Sequence, residues 1–495
     1  MCVGMFMAIL DIQIVASSLP EIQSALNIPL GRLSWVQTAY LIAEVVAIPL
    51  TARLTRLMSL SRLFIAAISG FTLASLGCAL STDYGTFILF RVLQGFCGGA
   101  VIPAVFTAGF LLFPERQRVV ATTFAGVAAM LAPTLGPMIG GYITETYSWH
   151  WLFLINLPAG IVVAPVVGRC VRAEGADWRL WSRLDYVGLA LGAIFLACLE
   201  ILLSEGPKHG WTGTTVVLLI AVCLATCTGT IWSSLRRTEP IVDLRLLADH
   251  GFAISCFYSF VLGMGLYGSV YLLPLFLGLV REHTPFEIGQ IMIVSGAAQL
   301  AVAPIAALAE KRIDPRLLAA IGYGLFGAGL IANGFETRDT DFAGLFWPQL
   351  LRGAGVMLCL LSTTTVALLG RSSETLANAS ALFNLMRNLG GAIGISLVDT
   401  ILQQRTPVHA AALIERLKAG DPAAARILGL PLDKFHNVPI GPIDESTKEA
   451  VAPLLKQAAL VLSFNEAWLL LGLVFVLALV AIPFLKGPAG SRSAG

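Results

Sequence analysis

The stretch "MLAPTLGPMIGG", residues 130–141, sets two prolines and three glycines inside an apolar run from Val119 to Ile143. In water, prolines at such positions break a helix. In lipid they are tolerated, because neighbouring helices and small local adjustments re-satisfy the backbone groups that proline leaves unpaired. Ala132, Gly136 and Gly140 recur every four residues and form one nearly smooth face. Faces of small residues at this spacing let two membrane helices approach closely. The stretch therefore predicts a membrane helix packed backbone to backbone on another.

The rest of the chain agrees. Of 495 residues, 57% are hydrophobic and only 13% charged, with a mean hydropathy of +0.81. A soluble domain would carry about 25% charged residues. A net charge of +2 gives no reason to expect nucleic acid or an acidic partner. Nine cysteines are scattered singly, only Cys170 in an expected loop, with neither a disulfide framework nor metal-ligand spacing. The apolar N-terminus lacks a basic leader, so it reads as a first span rather than a cleavable signal peptide, and Met1, at the membrane edge, as a late start.

Fourteen runs are long enough to cross a bilayer core, which takes about 20 apolar residues. Their expected limits are 2–20, 33–52, 63–81, 86–112, 119–143, 151–168, 186–204, 213–233, 252–279, 286–308, 316–335, 343–369, 376–402 and 464–485. An even number leaves both termini on one side. Eighteen Lys and Arg fall on the side of the termini, among them Arg53, Arg56 and Arg62 after the second span, against four on the other, Arg32, Lys208, Arg281 and Arg338. Short cytoplasmic loops retain basic residues, so both termini are expected in the cytoplasm. The long connection 403–463 is then an external loop, with a short surface helix over 408–418. "STKE" at 446–449 has capping-box spacing and predicts a helix that starts at Ser446 and bends at Pro453 toward the last span.

The chain also repeats. "AIPLTARLTR" from Ala47 resembles "VAPIAALAEK" from Val302; "RVLQGFCGG" at 91–99 resembles "QLLRGAGVM" at 349–357; "LGPMIG" at 135–140 resembles "LGGAIG" at 389–394. The offsets, 255, 258 and 254, nearly agree and equal eight spans rather than six. Two parallel six-helix halves with two helices inserted between them account for this. The domains expected are 1–168, an N-terminal six-helix bundle; 169–250, the inserted pair with its flanking loops; and 251–495, a C-terminal six-helix bundle carrying the external loop 403–463. The fold class is all-α integral membrane.

In these spans and repeats the chain resembles the major facilitator superfamily, in its fourteen-helix drug:proton antiporter branch of EmrB/QacA type. "LDIQIVASSLP" at 10–20 is similar to the first-helix motif of that branch, "RVLQGFCGG" to its fourth-helix motif and "APTLGPMIGG" to its fifth-helix antiporter motif. "SWHWLFLINLPAG" at 148–160 resembles the opening of the sixth helix, with His150 where arginine is usual. "LDYVGLAL", "EGPKHGW", "YLLPLFL" and "LLRGAG" extend the similarity over nearly the whole chain. One motif departs. After the second helix the family has a glycine, an aspartate and a glycine, where this sequence has Ala52, Arg56 and Ser59.

The resemblance implies a proton-coupled multidrug efflux transporter of the inner membrane. Such a protein exports small hydrophobic or amphipathic compounds by alternating access, uses the proton gradient and no cofactor, and in EmrB-like members hands substrate to a periplasmic adaptor and outer-membrane duct. It also implies that Pro133, Gly136, Pro137, Gly140 and Gly141 bend and seal the fifth helix, with the tenth, around Ser295, Gly296 and Ala298, as counter-surface. An ionisable residue at membrane depth is costly and functional by default. Asp11, Glu44 and Arg91 are the proton-coupling candidates, with Arg91 the cation that tunes the acids. Gln94, Gln349, Arg352, Asn384, Arg387 and Asn388 are polar candidates for the cavity. Glu200 and Asp399 lie near span ends, where water solvates them. Trp35, Tyr40, Phe257, Tyr258, Tyr267 and Tyr271 line the cavity or pack elsewhere. A dedicated metabolite exporter or importer shares all these features, and a non-transporting receptor is disfavoured by the intramembrane charges. No phosphate-binding loop, nucleophile triad or metal box marks an enzyme.

Overall fold

The computed structural model describes residues 1–171, 185–206, 213–237, 240, 242–310, 312–368, 373–430 and 445–484. Among these it contains helices and no strands. In chain order they are α1 (Cys2–Ala16), α2 (Leu19–Ala25), α3 (Leu30–Leu33), α4 (Trp35–Met58), α5 (Leu60–Leu80), α6 (Tyr84–Leu111), α7 (Glu115–Thr146), α8 (Trp151–Leu154), α9 (Asn156–Cys170), α10 (Tyr186–Glu205) and α11 (Thr214–Arg236). The second part adds α12 (His250–Leu279), α13 (Pro285–Glu310), α14 (Pro315–Asn333), α15 (Phe342–Leu368), α16 (Ser373–Lys418), α17 (Pro422–Leu428) and α18 (Glu445–Val480). Thirteen helical stretches are long and apolar enough to span a membrane, among them α8 run together with α9 (Trp151–Cys170), and α1 with α2 makes a fourteenth, bent by 71°. The first span thus does not run straight to residue 20; it turns at Ser17 and Ser18, ahead of Pro20.

Helix starts follow local chemistry. Asp83, Asp249 and Asp314 each place a carboxylate oxygen on a backbone N–H at the head of α6, α12 and α14, satisfying donors that a helix leaves unpaired. Asp185 caps α10 through Gly188 and also binds Ser233 and Arg237 of the α11 end, at 2.9 and 3.1 Å. That fastens the inserted pair at its base. Between α4 and α5, Ser59 sits at φ +76°, ψ 153°, a conformation open to glycine that costs other residues of order 1–3 kcal/mol. This is the motif position where the resemblance puts glycine.

Helices α1, α4–α7 and α9 pack as one set, α12–α16 and α18 as another, and α10 with α11 lies against α4 and α16. The sets meet where α7 packs on α13 and α4 on α16. The largest apolar core runs through both, from Leu10 and Ile14 to Tyr271, Phe276 and Trp468.

The described residues of the connection 403–463 are largely helical. Helix α16 continues unbroken to Lys418 and α18 begins at Glu445, so both last spans rise past the apolar zone as helices; residues 431–444 lie outside the described chain. The expected helix over 408–418 is thus the tip of α16. The arms hold because they have their own core: Leu413 and Leu417 pack with Ala424, Ala425, Leu428, Ala458 and Ala459. Arg405 adds a two-pronged ion pair to Glu466, at 2.6 and 2.8 Å.

Candidate functional site

A cavity of about 560 Å³ lies between the two sets. Its walls run from mid-helix toward the end of the bundle that holds Cys2 and Val480, reaching Phe106, Leu368 and Ser380 near the tips of α6, α15 and α16. The opposite end is closed. There Gly31 abuts the Gln403 side chain, Gly278 abuts Pro20, and Ser34 donates to Asp399 at 3.1 Å.

The wall is mostly aliphatic, and among the described residues Glu44 is its only carboxylate. Glu44 comes from α4. Its partners come from the other set: Asn388 hydrogen-bonds it, Arg387 is the cation it senses, and Tyr267 donates to Asn388 at 3.4 Å. One Glu44 oxygen, Oε2, remains buried without a partner. Asn384 and Arg352 line the same space, as do Pro133 and Pro137. Tyr267 is the only one of the six aromatic candidates that does so.

Asp11 and Arg91 are elsewhere. They form a fully buried ion pair at 2.5 Å inside the first set. Gln94 and Asn156 donate to the other Asp11 oxygen at 2.8 and 3.0 Å, and Arg91 also bonds Gln94 and the Val36 carbonyl. Ser75 accepts from both amides, and the guanidinium lies 4.6 Å from the Tyr40 ring centre. Arg91 therefore serves Asp11 and not Glu44, and Gln94 belongs to this cluster rather than to the cavity. Tyr40, one turn before Glu44, links the two places through the fold. Sequence reading missed Asn156 and Ser75: a lone amide and a lone hydroxyl in apolar spans carry no spacing signal.

Gln349 is likewise not on the wall; it accepts from Arg352 at 3.2 Å, and Arg352 donates to Ser269 at 2.6 Å. Asp399 is not solvated at a span end. It is 2% exposed and accepts from Ser34, Tyr271 and Gln403. The side chains of Arg56 and Glu200 lie outside the described residues. Arg53 donates to the Pro240 carbonyl at 2.9 Å, and Arg62 is exposed.

The glycine face of α7 is close-packed, but on a different helix from the one expected. A Cβ on Gly136 would lie 2.6 Å from that of Gln13, and one on Gly140 would strike the Ile14 carbonyl, so this face meets α1. Helix α13 packs on the adjoining face, with Gly289 against Pro137, Gly296 against Thr134, and Gly141 against Pro285. Small residues spaced by four leave the rotation of a helix open, and two faces of α7 qualify.

The family model for the Major Facilitator Superfamily matches residues 1–395. The chain belongs to that superfamily. It is 40% identical over 411 residues to the colistin resistance protein EmrB of Acinetobacter baumannii, covering 83% of this chain and 80% of that one. It is 29% identical to the multidrug export protein EmrB of Escherichia coli, over 99% and 95% of the two chains. The solved structure of a bacterial homolog of the human lysosomal transporter Spinster, inward-facing and occupied, superposes with a TM-score of 0.64 at 12% identity, over 98% and 95%. At that identity the likeness is one of fold. A major facilitator chain with a central cavity between two helix sets is a membrane transporter.

Proposed function

We propose that this transporter is a proton-coupled exporter of small hydrophobic or amphipathic compounds. The observation that carries the reading is the cavity: an apolar chamber with one carboxylate from α4 facing Asn388 and Arg387 of the other set. An apolar wall accepts many apolar bodies with little discrimination. Glu44, able to exchange its proton for contact with the opposing set, supplies a differential affinity between two conformations. The names of the relatives, multidrug export and colistin resistance, support the same reading. The test is uptake of ethidium, an apolar cation, into proteoliposomes under an imposed pH gradient. Accumulation that collapses with a protonophore supports coupling; accumulation that ignores the gradient overturns it.

The basic residues support termini in the cytoplasm of an inner membrane. The α16–α18 arms would then stand in the periplasm, where an adaptor leading to an outer-membrane duct would meet them. Ala419, exposed at the tip, offers one experiment for both. With Cys170 replaced by alanine, Ala419→Cys is expected to react with a membrane-impermeant maleimide in intact spheroplasts, and a crosslinker there to capture the adaptor in the native host. No labelling until the cells are opened would reverse the orientation, and labelling without capture would leave a self-sufficient pump.

A further inference from the structure

The second helix set holds a buried polar cluster that the cavity reading does not use. Glu336 follows the end of α14, at the closed end of the bundle, and is 5% exposed. Its Oε2 accepts from Trp468 Nε1 at 3.2 Å and its backbone carbonyl from Asn465 at 2.8 Å, both on α18. Arg352 of α15 lies with its guanidinium 5.2 Å from the Trp468 ring centre and is the charged group that acts on Glu336. The other neighbours, Asn333, Asn465 and Trp468, are neutral.

Buried polar atoms of Glu336 and of the two asparagines that touch it go unpaired, namely Glu336 Oε1, Asn333 Nδ2 and Oδ1 and Asn465 Oδ1, and so do Gln349 Nε2 and Arg352 Nε of the bonded pair on α15. Buried polar groups nearly always find partners, so such a concentration needs an explanation. Both acceptors and donors are among them, and one donor belongs to a guanidinium. A metal cation would need acceptors alone; water and protons suit both kinds. Burial, opposed by Trp468 and Arg352, holds the Glu336 carboxyl well above the usual carboxylate range.

Arg352 connects this cluster to the transport site, because the same side chain lines the central cavity. We propose that Glu336 is a second proton-binding carboxylate, which sets through Arg352 the positive charge that the cavity presents. Ionised, Glu336 attracts the guanidinium and neutralises it. Protonated from solvent at the closed end, it leaves that charge to the cavity, where an apolar cation is then disfavoured. The effect on transport rests on the exporter reading above; the proton site itself does not.

Infrared difference spectra of the full chain in liposomes, recorded as pH is raised, test the site directly. A protonated buried carboxyl has a C=O stretch above the amide band that disappears on ionisation. One such titrating band is expected to vanish in Glu336→Gln, to persist in Glu44→Gln, and to move to higher frequency in Trp468→Phe, which removes its hydrogen bond. Ethidium accumulation driven by the pH gradient is expected to fall at least tenfold in Glu336→Gln and to be largely kept in Glu336→Asp. A full set of wild-type bands in Glu336→Gln overturns the proton site, whatever transport shows. The band lost with accumulation unchanged overturns the link through Arg352. If wild type itself fails to accumulate ethidium while the band behaves as expected, the exporter reading fails and the site stands. Should Glu336→Gln not assemble, the Trp468→Phe shift decides: an unmoved band overturns the assignment.

Discussion

Glu44→Gln is expected to bind and exchange ethidium yet to lose all accumulation driven by a proton gradient. A difference of two pH units, exchanged one proton for one substrate at constant membrane potential, supports an accumulation of about 100-fold, since each unit is worth about 1.4 kcal/mol. The variant should sit near unity. Glutamine keeps the shape of the side chain and its bond to Asn388, so the cavity and the contact between the two sets survive; only the titration is removed. Glu44 is the one acid on the cavity wall among the described residues, with one oxygen unpaired and its partners drawn from the opposite set. It can therefore lose its partners when the sets part, which is what a carrier of protons needs. Near-wild-type accumulation in Glu44→Gln would place the exchanged proton elsewhere.

Asp11→Ala is expected to be damaging in a different way. The Asp11 carboxylate receives Arg91, Gln94 and Asn156 from α6 and α9 and is itself on α1. Removing it leaves a fully buried guanidinium without its counter-charge and takes one acceptor from each of two amides, and breaking a buried ion pair from one side costs about 3–5 kcal/mol. The apparent melting temperature in detergent should fall steeply. The paired replacement Asp11→Leu with Arg91→Met removes both charges and should recover most of that loss, because the desolvation cost disappears with them. A single Asp11→Ala variant that melts with wild type would mean the pair contributes nothing to holding α1 against α6 and α9. Asp11→Asn, which keeps an acceptor for the amides, separates this structural contribution from any part in coupling: normal melting with lost accumulation would give Asp11 a role in proton exchange alongside Glu44.

Much of the architecture was legible in the chain because each span is an apolar run with basic punctuation, and because the repeats at offsets near 255 spell out the duplication. The arms were legible only in part: the sequence predicts helices over 408–418 and from Ser446 past Pro453, and they are the tip of α16 and the start of α18. That α16 runs on past residue 402 without a break was not legible, because Arg405, His409 and Glu415 make the stretch read as a solvated connection, while the Leu413 and Leu417 stripe has meaning only once Ala458 and Ala459 of α18 face it. The same limit applies to the breaker motif. Its small residues promised a close contact and one exists, but which helix lies against Gly136 depends on how α7 is rotated, and prolines at 133 and 137 leave that open. Among the charges, the Arg91 and Asp11 motif positions could be read from resemblance, whereas Glu336 sits in "NGFETRD", just beyond an apolar run, where an acid looks like ordinary loop chemistry. Only tertiary packing by Trp468 and Asn465 takes it out of water.

The unbroken length of α16 has a mechanical consequence. Its 46 residues span roughly 69 Å at 1.5 Å per residue, and it carries Asn388 on the cavity wall and Leu417 in the arms on one helix. From Asn388 to the tip is about 45 Å. If the second set tilts by roughly 10° as access alternates, the tip sweeps about 8 Å. The arms then act as a lever that converts a small tilt at the substrate into a stroke outside the bilayer. Anything resting on them would feel each cycle as a push, and a pair of spectroscopic labels across the tip would read the transporter's state without touching the cavity.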